Sequence, residues 1–135
     1  MADTDQIPDL NIVALTLCGE AESGGYVLMQ GVGSTIQKRT VLHWQHETTS
    51  RGVCLHFEQY SCWLPGRDRN RIMAPDFVIP DTALVIAGMI LNQTLPDNTD
   101  GSTSYFDDSI SPPTWATQDK FRVKIDTLNF YDLSG

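Results

Sequence analysis

Long apolar runs are missing from this 135-residue chain: the strongest stretch, Ala83 to Leu91, is interrupted by Gly88 and falls well short of the roughly 20 residues needed to cross a bilayer. No membrane insertion is expected. An export signal is missing too, because Met1-Ala2-Asp3-Thr4-Asp5 is acidic where a signal peptide is basic, and no apolar segment with a small-residue cleavage site follows. Synthesis in the cytoplasm without a leader is therefore expected. Cysteine is scarce: Cys18, Cys54 and Cys62 are too few for a disulfide scaffold, though one bridge between Cys54 and Cys62 is compatible with the count. Base is scarce relative to acid. Nine Lys and Arg stand against 17 Asp and Glu, giving a net charge of -8 and a pI near 4.5. That balance argues against a nucleic-acid partner, which needs a basic surplus to neutralise phosphates. Walker, dinucleotide-binding and Gly-x-Ser-x-Gly patterns are absent as well, so nucleotide and ordinary serine-hydrolase chemistry have no foothold.

The charges that are present are unevenly spread. Residues 1–37 carry five acids and no Lys or Arg, residues 38–71 carry six bases against three acids, and residues 72–119 carry seven acids and no base. The basic middle ends in Arg67-Asp68-Arg69-Asn70-Arg71, which suits either salt bridges to the acidic flanks or an anion on a sugar polymer.

At this length, with no internal repeat and no Pro- or Gly-rich linker, a single domain over residues 1–135 is the simplest organisation, with 1–8 a flexible lead-in. Asp9 is a candidate N-cap for an amphipathic helix over 10–21, marked by Leu10, Val13, Ala14, Leu17 and Ala21 at three- and four-residue spacing. Gly24-Gly25 breaks it, and a second periodic segment runs from Tyr26 toward Leu42, with Gly31 and Gly33 permitting close packing. Residues 45–79 read as loop with short strand-like stretches at Val53–Phe57 and Phe77–Ile79. Asp81 caps a third helix, expected to be fully buried, that ends before Pro96. A turn at 97–101, a short segment 102–106 and a terminal strand from Phe121 to Tyr131 complete an α+β pattern.

Glu20 falls in the last turn of the first helix between Gly19 and Ala21, small neighbours that leave its carboxyl accessible, while Cys18 and Leu17 lower the local polarity. Such a carboxyl can serve as a general acid, although a solvated helix-terminal Glu is the commoner case. Gln59-Tyr60-Ser61-Cys62-Trp63 gathers amide, hydroxyl and indole groups, and Trp115 follows Pro112-Pro113; such mixtures suit a sugar ring, with core packing as the alternative use of either Trp. His43 and His46, with Glu47 or Cys54, are the nearest approach to a zinc site, but neither His-Glu-x-x-His nor paired Cys-x-x-Cys supports it, so no metal and no cofactor are expected. A cysteine peptidase of the wall-cleaving type places its nucleophile ahead of its histidine; only Cys18 precedes all three histidines, in a helix where a buried thiol is expected.

Taken together, these segments resemble the cell-wall hydrolase family that includes spore cortex-lytic enzymes. Leu15-Thr16-Leu17-Cys18-Gly19-Glu20-Ala21 resembles its aliphatic helix ending in Gly-Glu-Ala, and Gly31 through Arg39 its second helix, which usually ends in Asn-Arg. Gly52-Val53-Cys54 through Trp63 is similar to the segment in which a cysteine precedes Gln-Phe-Ser-Cys-Trp. Ile86-Ala87 and Leu95 through Phe106 resemble the stretch leading into its Asp-Pro-Thr-Gly-Gly-Ala-Thr-His-Tyr turn, and Pro113-Thr114-Trp115 and Asn129-Phe130-Tyr131 its Pro-x-Trp and closing Phe-Tyr. The chain departs from the pattern at Lys38, Ser104, Phe106 and Leu128, and Glu22-Ser23-Gly24 replaces the usual Arg-Gly-Glu.

The resemblance implies a lysozyme-like α+β fold, a helix-rich core with a small antiparallel sheet and a glycan-binding groove. It implies Glu20 as catalytic acid and Gln59, Ser61, Trp63, Thr103, Tyr105 and Trp115 as substrate-binding residues. The expected partner is the peptidoglycan glycan strand, met by a monomer that cleaves the bond between N-acetylmuramic acid and N-acetylglucosamine. One motif-matched Glu without an equally placed partner favours a lytic transglycosylase. Asp97, Asp100 or Asp107 as a second carboxylate would instead make a lysozyme-type muramidase. A wall-binding virion component without turnover is the non-enzyme alternative. The expected setting is a bacteriophage endolysin that reaches the periplasmic wall after holin release, or one carried in the virion.

Overall fold

The computed structural model describes residues 3–135. Five helices, α1 (Asp9–Ala21), α2 (Gly25–Leu42), α3 (Ser50–Leu55), α4 (Arg67–Ile72) and α5 (Asp81–Leu91), precede three strands, β1 (Ser104–Asp107), β2 (Phe121–Ile125) and β3 (Leu128–Tyr131). The strands form one antiparallel sheet in the order β1-β3-β2. This is the expected α+β class, helix-rich with a small sheet.

The hub is α1, which packs against α2, α3, α4 and α5 together. Ile12 through Cys18 are buried without a break, so a helix expected to be amphipathic is enclosed on every side. Its one polar residue in that run, Thr16, donates to the Ile12 carbonyl at 2.8 Å, which removes the cost of burying a hydroxyl. Conversely α5, expected to be fully buried, is the amphipathic one: Ala83, Ile86, Ala87 and Ile90 face the core while Val85 is 52% exposed and Leu91 40%. Periodicity reports spacing, and both helices are apolar enough that only the number of neighbours separates them. Gly33 lets α2 close on α5, since a Cβ there would stand 3.0 Å from both Ile90 Cδ1 and Leu95 Cδ2.

Other expectations are corrected. The residue at the N-terminal boundary of α1 is Pro8, not Asp9, which is already helical, and Pro80 takes the same place before α5. Residues 53–55 lie in α3 instead of a strand, 77–79 have no partner strand, and the terminal strand is a hairpin whose two-residue turn places Asp126 at φ 52°. Residues 3–8, expected to be a flexible lead-in, are tied down: Arg51 donates to the carbonyls of Thr4 at 2.7 Å and Ile7 at 2.6 Å, and Asp3 pairs with Arg69 at 2.7 Å. Residues 1–2 lie outside the described residues. All three cysteines are free and buried, so the Cys54–Cys62 bridge is not formed. Among the described residues no helix is long and apolar enough to cross a membrane.

Candidate active site

Glu20 sits in the last turn of α1, where that helix meets the single turn Ser61–Trp63 and the strand β1. Its Oε2 accepts from the Cys62 backbone N–H at 2.9 Å and from the Ser61 hydroxyl at 3.4 Å. Its Oε1 accepts a short bond from the Tyr105 phenol. The approach of the Ser61–Trp63 turn depends on Gly19, where a Cβ would stand 2.4 Å from Cys62 Cβ and 2.8 Å from its Sγ. Glycine next to the glutamate thus allows the backbone donor to reach it.

Tyr105 arrives on β1 because Tyr105 is registered opposite Phe130 of β3. Its ring packs 5.5 Å from that of Phe130 and 6.4 Å from that of Tyr60. Burial, and after it the charge on Glu20, push the Tyr105 phenol well above 10, so it keeps its proton and acts as a donor. On the other face of β1, Phe106 joins Trp115, Phe121 and Tyr131 in a second aromatic group with centroid separations of 5.5 to 6.2 Å.

A cleft of about 570 Å³ opens in front of Glu20, lined among others by Gln59, Ser61, Tyr105, Phe106 and Trp115. A second recess of about 490 Å³, lined by residues 18–23, Asp68 and Arg71, adjoins it through Gly19, Glu20 and Asp68, which border both. Glu20 therefore stands where an aromatic half of the groove meets a charged half. That arrangement can bind a chain on both sides of a carboxyl able to exchange a proton.

Of the predicted substrate residues, the structure brings Gln59, Ser61, Tyr105 and Trp115 to the cleft with Glu20. It does not bring Trp63 or Thr103 there. The Trp63 indole donates to Thr16 at 2.9 Å, and the Thr103 hydroxyl, fully buried, accepts from the Leu133 backbone at 3.0 Å. Both hold the frame. Arg39 was not singled out as a site residue. It is buried at 7% exposure, donates to the Thr103 carbonyl at 2.6 Å, to Gln59 at 3.2 Å and to Ser104 at 3.3 Å, and lies over the rings of Trp44 and Tyr60. It clamps α2, the Gln59 loop and β1 into one wall. The sequence signals for it are an arginine within the apolar-periodic run of α2 and its place at the Arg of the Asn-Arg ending in the resembled second helix.

Among the second-carboxylate candidates, Asp97 and Asp107 are occupied by their own turns. Asp97 accepts from the Thr99 N–H and hydroxyl and from the Gly101 N–H, and Asp107 from the Ser109 N–H and the Thr127 hydroxyl. Asp107 still lines the cleft, whereas Asp97 and Asp100 do not. The cluster at 67–71 forms α4, and its arginines reach back to the acidic N-terminal flank: Arg69 to Asp3, and Arg71 to Glu22, both at 2.7 Å. His56 pairs with Glu47 at 2.7 Å, apart from exposed His43 and His46. Burial pushes the Cys18 thiol up to about 11, that of Cys54 up to about 12, and that of Cys62 further still, which leaves no thiolate nucleophile.

Fold and site together define an α+β protein with one glutamate held at the middle of an extended groove. Residues 23–131 match the model of the family described as Cell Wall Hydrolase, and the chain belongs to that family. The matched span begins just after Glu20. Among solved structures, the catalytic domain of the Bacillus cereus SleB protein superposes with a TM-score of 0.72 at 19% identity, over 92% of this chain and 89% of that one. The catalytic domain of the germination-specific lytic transglycosylase SleB from Bacillus anthracis gives 0.71 at 18% identity, over 98% of this chain and all of that one. These likenesses establish the fold. No curated protein matches by sequence.

Proposed function

We propose that the protein is a peptidoglycan lytic transglycosylase in which Glu20 is both acid and base. The observation that carries this reading is that, of the two carboxyls at the junction of the half-grooves, Glu20 is the one held in place, by the Cys62 N–H and the Tyr105 phenol. Protonated Glu20 gives its proton to the glycosidic oxygen as the bond from C1 of N-acetylmuramic acid breaks, and the electron pair leaves with N-acetylglucosamine. The muramoyl acetamido oxygen supports the developing cation. The C6 hydroxyl then attacks C1 and returns its proton to the Glu20 carboxylate, closing a 1,6-anhydro ring with no water consumed. The similar fold of a named lytic transglycosylase supports this reading.

One observation favours hydrolysis as the second reading: Asp68 borders both half-grooves, and its carboxylate makes no hydrogen bond or ion pair among the described residues, so it is free to activate water. The phage setting, with release by a holin or carriage in the virion, extends the proposal on sequence grounds.

The test is clearance of purified peptidoglycan by wild type and Glu20→Gln, followed by mass analysis of the released fragments. Wild type is expected to clear and to yield ends one water lighter than hydrolysed ones, and Glu20→Gln to lose at least about 100-fold. Equal clearance by both would remove Glu20 from the mechanism, and hydrated ends would select the muramidase.

A further inference from the structure

We propose that Tyr105, expected from the resemblance to be a substrate contact, is instead a positioning residue: its phenol pins Glu20 Oε1, so that proton exchange with substrate runs through Oε2 on the side touched by Ser61. This deepens the proposed function and rests on Glu20 as the acid.

The two oxygens of Glu20 are held unequally. Oε1 faces a phenol fixed on paired backbone, since Tyr105 lies in β1 against Phe130 of β3 and its ring also meets Tyr60. Oε2 has one immovable donor, the Cys62 N–H at 2.9 Å, and one replaceable donor, the exposed Ser61 hydroxyl at 3.4 Å. A sugar oxygen entering the cleft can displace Ser61 without disturbing any element, whereas displacing Tyr105 would unpack β1 from the core. In the catalytic cycle the proton therefore leaves Oε2 for the glycosidic oxygen, and Oε2 takes it back from the C6 hydroxyl. Oε1 remains an acceptor throughout.

Several groups around Glu20 also carry or take up charge. Tyr105 faces it from β1, Tyr60 and Cys62 from the loop after α3, and Cys54 from α3. Arg39 of α2, Glu58, Asp68 of α4 and Asp107 of β1 share its cleft, and Glu22 and Arg71 the adjoining recess. The tyrosines and thiols keep their protons at neutral pH. The Tyr105 phenol donates more strongly to a carboxylate than to a neutral carboxyl, so deleting it removes a preference for the charged form.

The experiment follows the Glu20 carboxyl by carbon-13 NMR, its resonance identified by its loss in Glu20→Gln, in wild type and Tyr105→Phe. Phe keeps the ring packing and removes only the donor. The titration midpoint is expected to rise by about one pH unit, with kcat on soluble glycan fragments down about 10- to 100-fold and KM within about twofold. Replacing Tyr105 by a difluorotyrosine, a stronger donor of the same shape, is expected to move the midpoint downward. Ser61→Ala is expected to leave it within a few tenths of a unit. An unmoved midpoint in the Tyr105 variants, or a raised KM with kcat retained, overturns the proposal and returns Tyr105 to substrate contact. Because the titration needs no turnover, a wild type that fails to cleave peptidoglycan sinks the proposed function while leaving this test standing.

Discussion

Trp115 stands edge-on to Tyr131 and lines the cleft, whereas Trp63 commits its indole donor to the buried Thr16 of α1. Opposite phenotypes follow from these two positions. Trp63→Phe is expected to lose about 1–2 kcal/mol of stability, read as a lower urea midpoint, with cleavage retained once the protein is folded. Trp115→Ala is expected to keep a cooperative transition and to weaken binding of glycan fragments about tenfold, measured by calorimetry. Reversed outcomes would exchange the two assignments. Sequence could name both indoles as sugar-binding candidates, because their composition and neighbours are alike. What separates them is a hydroxyl on α1, 47 residues from Trp63, whose bond no local pattern records. Glu20 was legible through the resemblance, on the Gly-Glu-Ala ending of the first helix, since its small neighbours Gly19 and Ala21 by themselves leave a solvated glutamate the commoner case. The Cys62 N–H that orients it was not, since backbone donors leave no trace in residue type.

Among elements, the join of α1 to the Ser61–Trp63 turn is the most demanding. Gly19→Ala places a methyl 2.4 Å from Cys62 Cβ, so the turn must withdraw and the Cys62 N–H must leave Glu20. Loss of cleavage by more than tenfold is expected, with hydrogen exchange faster at Cys62 and unchanged in α5; unchanged exchange at Cys62 would contradict it. The 97–101 turn gives a prediction in pH. Burial opposes ionisation of Asp97, but donors from Thr99 and Gly101, with Ser34 nearby, hold its carboxyl below its usual 3.8. A folded value below the unfolded one means that the contribution is fully present above about pH 4 and is lost as pH falls through the folded value. Urea midpoints at neutral pH and below about pH 4 are therefore expected to fall less in Asp97→Asn than in wild type. Sequence revealed α1, α2 and α5, whose apolar spacing is long enough to be unambiguous. It missed α3 and α4, each six residues. Helices that short exist because α1 offers them a surface, which propensity does not encode.

For the molecule as a whole, net charge sets the first encounter. At -8, with much of the basic segment already paired to the acidic flanks, the protein approaches an anionic wall against repulsion. Clearance of peptidoglycan is expected to speed up as salt rises from about 0.01 to 0.15 M and screening shortens that repulsion. A rate that falls with salt would instead reveal attractive charge contacts within the groove. Because α1 carries the glutamate and touches every other helix, no part of the helical core can loosen without disturbing the acid. The buried thiols have a consequence of another kind. Free, buried and without a ready thiolate, Cys18, Cys54 and Cys62 give a reductant nothing to cut and an oxidant little to attack. The fold therefore stands without any covalent cross-link, and its stability is expected to be the same in reducing and in oxidising buffer.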